Sequence, residues 1–375
     1  MGLLKGTWTF SRYGVLGKLP EQFHNTVDEG LKKYAFANQA DRQREKSLGW
    51  TSLENILDTD FTYAQYKLAD YLIFSLRIDR RSVPLSLLKL KALEAEKKYL
   101  AETGKKRLYR QEQEEIKEKI RLGLMEKALP IPAFYEICWS PSRNMVFFGS
   151  HSDKIIEDFQ KLFKETFHVS LHPFLPWERG GADREKIAPS LPESGPPAGP
   201  SLPDGGTTAV PPLFPGREFL TWLWYKSEER NGTITVPEMG ENEILFLQRL
   251  VLAAGEREYS ETVICQGLHS DMKEGKEALR HGKKIKEARL HLIKDGTKWE
   301  FTFKADTFQF QSLKLPTVMD LEDETDREGR NLERIFLMEK AVETMDKLFA
   351  SYLQLRNSGQ WESAELPRME KWLSQ

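Results

Sequence analysis

A chain of 375 residues, 39% hydrophobic and 30% charged, can bury a core in two or three domains and still carry a heavily charged surface. Its 21 Phe, 11 Tyr and 9 Trp need burial, which excludes a wholly disordered chain. Two cysteines, Cys138 and Cys265, exclude a disulfide framework and a cysteine-rich zinc site, and a net charge of −2 argues against a generic polyanion binder.

The opening residues, MGLLKGTWTFSRYG, lack the basic start and long apolar stretch of a secretory signal, and no run of about 18 apolar residues predicts a membrane span. A cytoplasmic protein is expected. Gly6 to Val15 reads as a strand, and Glu21 to Phe36, after Pro20, as a helix. Ala69 to Ile78 is an apolar, aromatic-rich run of strand length. After Pro84 a long helical stretch from Leu85 to Ala128 breaks at Gly104, which predicts a helical hairpin over 85–128. Leu85, Leu88, Leu93 and Leu100 cover one side of its first arm, and Ile116, Ile120 and Leu124 recur at helical spacing on the second. Ala133 to Trp139 and Met145 to Phe148 predict a β-hairpin. A helix follows from an N-cap at Ser152 to Phe167, with Ile155, Phe159, Leu162 and Phe163 facing a core.

Residues 178–216 change character: Pro, Gly and Ser dominate and periodicity disappears, as in a flexible linker. It separates an N-terminal α+β domain, 1–177, from a C-terminal one, 217–356, followed by a tail, 357–375. In the second half, Glu218 to Glu229 and His269 to His281 read as helices, the latter stopped by Gly282. Ile244 to Ala253 and Tyr259 to Cys265 read as strands. Asp295-Gly296 between Ile285–Ile293 and Trp299–Phe303 is a strong hairpin signal, and Phe308 to Leu315 adds a further strand. Acidic residues from Asp320 lead into a helix from Glu328 to Leu355. Strands and helices do not alternate regularly, so the class is α+β with mixed antiparallel sheets.

Signatures of catalysis are missing. Gly282-Lys283-Lys284 lacks the remainder of a phosphate-binding loop, and no GxGxxG, HExxH, GxSxG or CxxC occurs. His168 and His172 flank a stretch that reads as a strand, so they are expected to point apart rather than bind a metal. Asp58, Asp60 and the cluster Asp320, Glu322, Asp323, Glu324 and Asp326 could hold divalent cations for nuclease chemistry. The cluster lacks the spacing of a calcium-binding loop, and a solvated helix start, which needs no extra assumption, is the preferred reading. No catalytic residue, metal or cofactor is predicted, and the chain is expected not to be an enzyme.

The near-neutral total conceals segregated charge. Arg77–Lys127 holds 15 Lys and Arg against 9 Asp and Glu, and His269–Lys304 holds 10 against 6. Charge alone also fits ordinary solvated helices. A nonspecific DNA grip needs cations spread along a surface to neutralise phosphates and release counterions. Arg80, Arg81, Lys105, Lys106, Arg107 and Arg110 supply these in the first segment, and Lys276, Arg280, Lys283, Lys284 and Lys286 in the second. No groove-reading motif accompanies them, so any binding is expected to ignore sequence. The rival reading is a protein-interaction scaffold built on the charged helical hairpin, with no direct role on DNA.

The order of the pieces resembles the bacterial recombination-associated protein RdgC family. The residues that carry the resemblance are Gly49-Trp50, then LIFSLRIDRRSVPLSLLKLKALEAEKKYLAETGKKRLYRQEQEEIKEKI and KALPIPAFYEICWSPSRNMVFFGSHSDKIIEDF. The stretch ETVICQGLHSDMKEGKEALRHGKKIKEARLHLIKDGTKWEFTF adds to them in the second half. The resemblance implies an α+β homodimer closed into a ring, with duplex DNA in a basic hole bound without sequence preference. It further implies a nucleoid-associated role that limits RecA action. Phe134 matches a family phenylalanine at the ring-closing contact, although it also reads as a core residue of the first hairpin strand. The turn Cys265-Gln266-Gly267-Leu268 lacks basic residues that some members carry there.

Overall fold

The computed structural model describes residues 2–19, 23–36, 45–58, 61, 66–177, 214–229, 232–236, 239–254, 261–267, 272–316 and 327–374. Most of the expected linker, 178–213, therefore lies outside the described residues, as do Asp60, Leu268 and the cluster from Asp320 to Asp326. The described residues form a mixed α+β structure with eight α-helices and extensive antiparallel pairing. None of these helices is long and apolar enough to cross a membrane.

The chain clusters into two compact units. The first unit comprises residues 15–148 and 152–171, and the second comprises 1–14, 149–151 and 172–375. Strand β1 (Thr7–Leu16) contributes residues to both.

In the first unit, strands β2 (Lys46–Ser52), β4 (Tyr71–Arg80), β5 (Ile131–Ser140) and β6 (Met145–Phe148) pair antiparallel in that order, and the short β3 (Lys67–Leu68) also pairs with β4. Helices α1 (Phe23–Lys33), α2 (Leu85–Thr103), α3 (Arg110–Lys127) and α4 (Asp153–Phe167) complete it. The buried stripe of α4 (Ile155, Phe159, Leu162, Phe163, Thr166 and Phe167) follows helical spacing. It covers an aromatic core in which Phe148 stacks on Phe159 at 3.8 Å and the Trp50 indole donates to the Thr166 hydroxyl at 2.9 Å. Gly49 has a steric reason: a Cβ there would lie 2.5 Å from the Phe36 Cα, so only glycine admits the chain leaving α1.

The second unit carries strands β7 (Ser170–Pro173, of which His172 and Pro173 belong here), β8 (Thr233–Val236), β9 (Gly240–Ala253), β10 (Thr262–Gln266), β11 (Lys284–Lys294), β12 (Thr297–Lys304) and β13 (Gln309–Lys314). Antiparallel neighbours run β10–β9–β11–β12–β13–β1, and β8 extends β9. Asp295 and Gly296 join β11 to β12, both with positive φ (50° and 75°), as the two-residue hairpin requires. Helices α5 (Phe214–Glu229), α6 (Lys273–Arg280), α7 (Arg327–Arg356) and α8 (Leu366–Ser374) complete this unit.

Ion pairs of buried arginines tie the helices of the second unit to their neighbours. Arg356 meets Glu218 at 2.9 Å, Arg217 meets Asp306 at 2.5 Å, and Arg12 meets Asp346 at 2.8 Å. Residues 357–374, read from the sequence as a tail, pack into the same unit. Trp361 is fully buried, and the Trp372 ring meets Trp224 edge-on at 5.2 Å. Its indole N–H donates to Glu228 at 2.6 Å, and Trp222 donates to Glu365 at 2.9 Å.

Candidate nucleic-acid interface

Helices α2 and α3 pack against each other across the connection Gly104–Tyr109. Gly104 ends α2 in the left-handed conformation, with φ 67°. Leu108 is buried, whereas Lys105, Lys106, Arg107, Tyr109 and Arg110 are exposed around it and line an open concavity. The sequence places Leu85, Leu88, Leu93 and Leu100 on one covered side of α2. The structure buries Leu88, leaves Leu100 half-covered, and exposes Leu85 and Leu93. The reason is geometric: α2 buries Leu88 and Ala92 alone, and α3 buries no residue fully.

The cations of this tip are held unequally. Lys105 forms an ion pair with Glu112. The Lys105 hydrogen bond pulls the Glu112 carboxyl below its ordinary pKa, helped by the Tyr109 backbone N–H donating to it at 2.9 Å; the same pair raises Lys105. Arg110 reaches Glu114 at 3.1 Å, one turn along an exposed helix face. Lys106 and Arg107 have no carboxylate partner among the described residues.

At the other end of the helix pair, Arg80 lies 3.9 Å from Asp158, a carboxylate already paired with Lys46. Half-buried Arg81 donates its backbone N–H to the Glu45 carbonyl at 2.9 Å. Phe134 is half-buried on β5 opposite Arg77, whose guanidinium carbon stands 5.6 Å from its ring centre. Leu129 and Ile131, just before it, are 83% and 64% exposed. The sequence reading missed this apolar approach, although ALPIPAF is legible as an apolar run without charges.

The second basic segment is organised differently. Lys276 is only 17% exposed, pairs with Glu228 at 2.8 Å and lies 4.9 Å from the Trp372 ring centre. Arg280 donates to the Leu373 carbonyl and pairs with Glu277 at 2.8 Å. Lys283, 14% exposed, meets Glu261 at 2.9 Å. Lys284 is half-buried at the start of β11. Lys286 sits exposed at a bulge between Ile285 and Glu287. His168 caps α4 and His172 lies on β7; among the described residues no three His, Cys, Asp or Glu side chains gather to hold a metal ion.

Residues 18–178 match the family model described as "RdgC: Putative exonuclease, RdgC". Over that segment, somewhat under half of its length, the chain is similar to the RdgC family. The RdgC match coincides closely with the first unit. It contains Phe134, the helix pair and the whole first basic segment, whereas Lys276 to Lys286 lie beyond it. No curated protein matches the chain.

Proposed function

We propose that the chain grips DNA by its phosphates, without sequence preference, chiefly through the tip of the α2–α3 pair. The observation that carries this reading is that Lys106, Arg107 and Arg110 project from one exposed tip inside the RdgC-family segment. Exposed cations, including one in a solvent-exposed ion pair such as Arg110, exchange their partners for phosphates readily, whereas cations held by carboxylates in covered positions gain little. Two copies close a ring around the duplex, with Leu129, Ile131 and Phe134 as the apolar contact that desolvates on closure. Occupying DNA in this way limits RecA action on the cytoplasmic nucleoid. The family description names an exonuclease, and that activity predicts that DNA is cut when Mg²⁺ is added.

The test is a titration of two unrelated duplexes across salt. Equal affinities, with log affinity falling steeply against log salt, support the reading. Absence of association near physiological salt up to roughly 100 µM, weaker than ordinary nonspecific binding, would sink it. Light scattering of the intact chain and of Phe134→Ala checks closure: the dimer weakens in the variant if the phenylalanine is at the contact. The exposed leucines of α2, Leu85, Leu90 and Leu93, favour a second reading as a protein-docking scaffold, in which those titrations stay flat.

A further inference from the structure

The cations at the α2–α3 tip line one open concavity together with an aromatic residue, Tyr109. Tyr109 is 76% exposed, although a tyrosine normally buries most of its ring. Its backbone is fixed: its N–H donates to Glu112 at 2.9 Å, and its carbonyl accepts from Gln113 at 3.1 Å. The preceding Leu108 is buried, so the chain anchors on the leucine and presents the tyrosine outward. The concavity beside the ring is lined by Lys105, Lys106, Arg107, Leu108, Tyr109 and Arg110.

We propose that Tyr109 stacks on an unpaired base of single-stranded DNA while Lys106, Arg107 and Arg110 hold the flanking phosphates. This rests on the phosphate-gripping reading above and names the strand form that the tip favours. Bases inside a duplex have their faces covered by their neighbours, so a duplex engages only the cations. An unpaired base offers a free face, and aromatic stacking on it tolerates any sequence. An acidic peptide would likewise satisfy the cations but leave the ring in water. An exposed ring on an anchored backbone, lining one concavity with several cations, matches alternating bases and phosphates better than it matches charge alone.

The experiment uses the full chain with three fluorescent probes of equal length at one salt concentration: oligo-dT, an abasic strand with the same phosphates, and a duplex. Tyr109→Ala is expected to lower the ratio of oligo-dT to duplex affinity about tenfold, the loss of one stacked base. Tyr109→Phe should keep the wild-type ratio, because the face rather than the hydroxyl makes the contact. Wild type should prefer oligo-dT to the abasic strand, and Tyr109→Ala should largely lose that preference. Its salt slope should match wild type, since every phosphate-binding cation remains in place. An unaltered ratio in Tyr109→Ala, or a loss in Tyr109→Phe equal to that in Tyr109→Ala, overturns the proposal. So does competition by polyglutamate as effective as that by oligo-dT. Failure of wild type to bind any probe overturns the phosphate-gripping reading itself; steep duplex binding with an unaltered ratio overturns the stacking alone.

Discussion

The two basic segments are built from the same residue types, yet the fold disposes of their charge in opposite ways. At the α2–α3 tip the connection is short, exposed and surrounded by water, so Lys106 and Arg107 project without a carboxylate among the described residues. In the second unit, α5, α6 and α8 meet over an aromatic cluster, Lys276 is drawn into it, and Arg280 and Lys283 are held by partners nearby. Lys276 lies against both Trp372 and Glu228, Arg280 holds the end of α8 through the Leu373 carbonyl, and Lys283 folds onto Glu261. Opposite charges attract more strongly where water is excluded, so a partly covered pair persists while an exposed one exchanges with solvent. A local charge excess therefore marks a candidate nucleic-acid surface only when the side chains are also left unsatisfied.

Lys276→Glu should produce the largest effect and breaks this contrast most directly. It sets a second carboxylate beside Glu228 in a largely covered position, and unfolding stability should fall by about 3 kcal/mol. A urea titration reads this as a lower midpoint. If stability holds and duplex affinity drops instead, the second segment is a contact surface and the contrast is wrong.

The tip should behave in the reverse manner. Changing Lys105, Lys106 and Arg107 together to Glu removes charges that support no core, so the urea midpoint should stay near wild type. Duplex affinity should fall for every sequence alike, and the slope of log affinity against log salt should flatten by about 0.9 for each phosphate that is no longer neutralised. Lys286→Glu is the matched control, because Lys286 is the exposed cation at the β11 bulge. An equal flattening there would extend the interface to the second unit.

Much of the fold was legible because its signals are local. The α4 stripe follows helical spacing, β4 is rich in apolar and aromatic residues, and Asp295-Gly296 closes its hairpin with both residues at positive φ. Strand β2 was not legible as a strand: KSLGWTS is short, and its glycine serves a backbone approach to Phe36 that no local pattern records. The basic run at the tip was equally visible, as was a tyrosine within KKRLYR. The fate of the second segment was hidden because its partners are remote in sequence. Glu228 precedes Lys276 by nearly fifty residues, and Leu373 follows Arg280 by more than ninety. Periodicity likewise could not show that α2 has too few neighbours to cover Leu85 and Leu93.

The smallest effect concerns Lys105, which belongs to the tip by position but resembles the second segment in being paired. Its partner Glu112 has its pKa held below the ordinary carboxylate value, first by the Lys105 hydrogen bond and then by the Tyr109 N–H. The pairing is thus fully present above the ordinary carboxylate range and is lost as pH falls through the lowered value. Glu112→Gln removes the charge but keeps an oxygen to accept the Tyr109 N–H, so the start of α3 should survive while Lys105 is released. Duplex affinity should then rise modestly at neutral pH, with the salt slope steepening by up to about 0.9, the value for one further neutralised phosphate. The gap between variant and wild type should narrow as pH falls and wild-type Glu112 takes up its proton. Other carboxylates also titrate in that range, so the narrowing gap, rather than either affinity alone, is the quantity to measure. A variant indistinguishable from wild type at neutral pH would mean that Lys105 already reaches DNA despite its carboxylate, and that at a fully exposed tip an ion pair does not withhold a cation as it does beside Trp372.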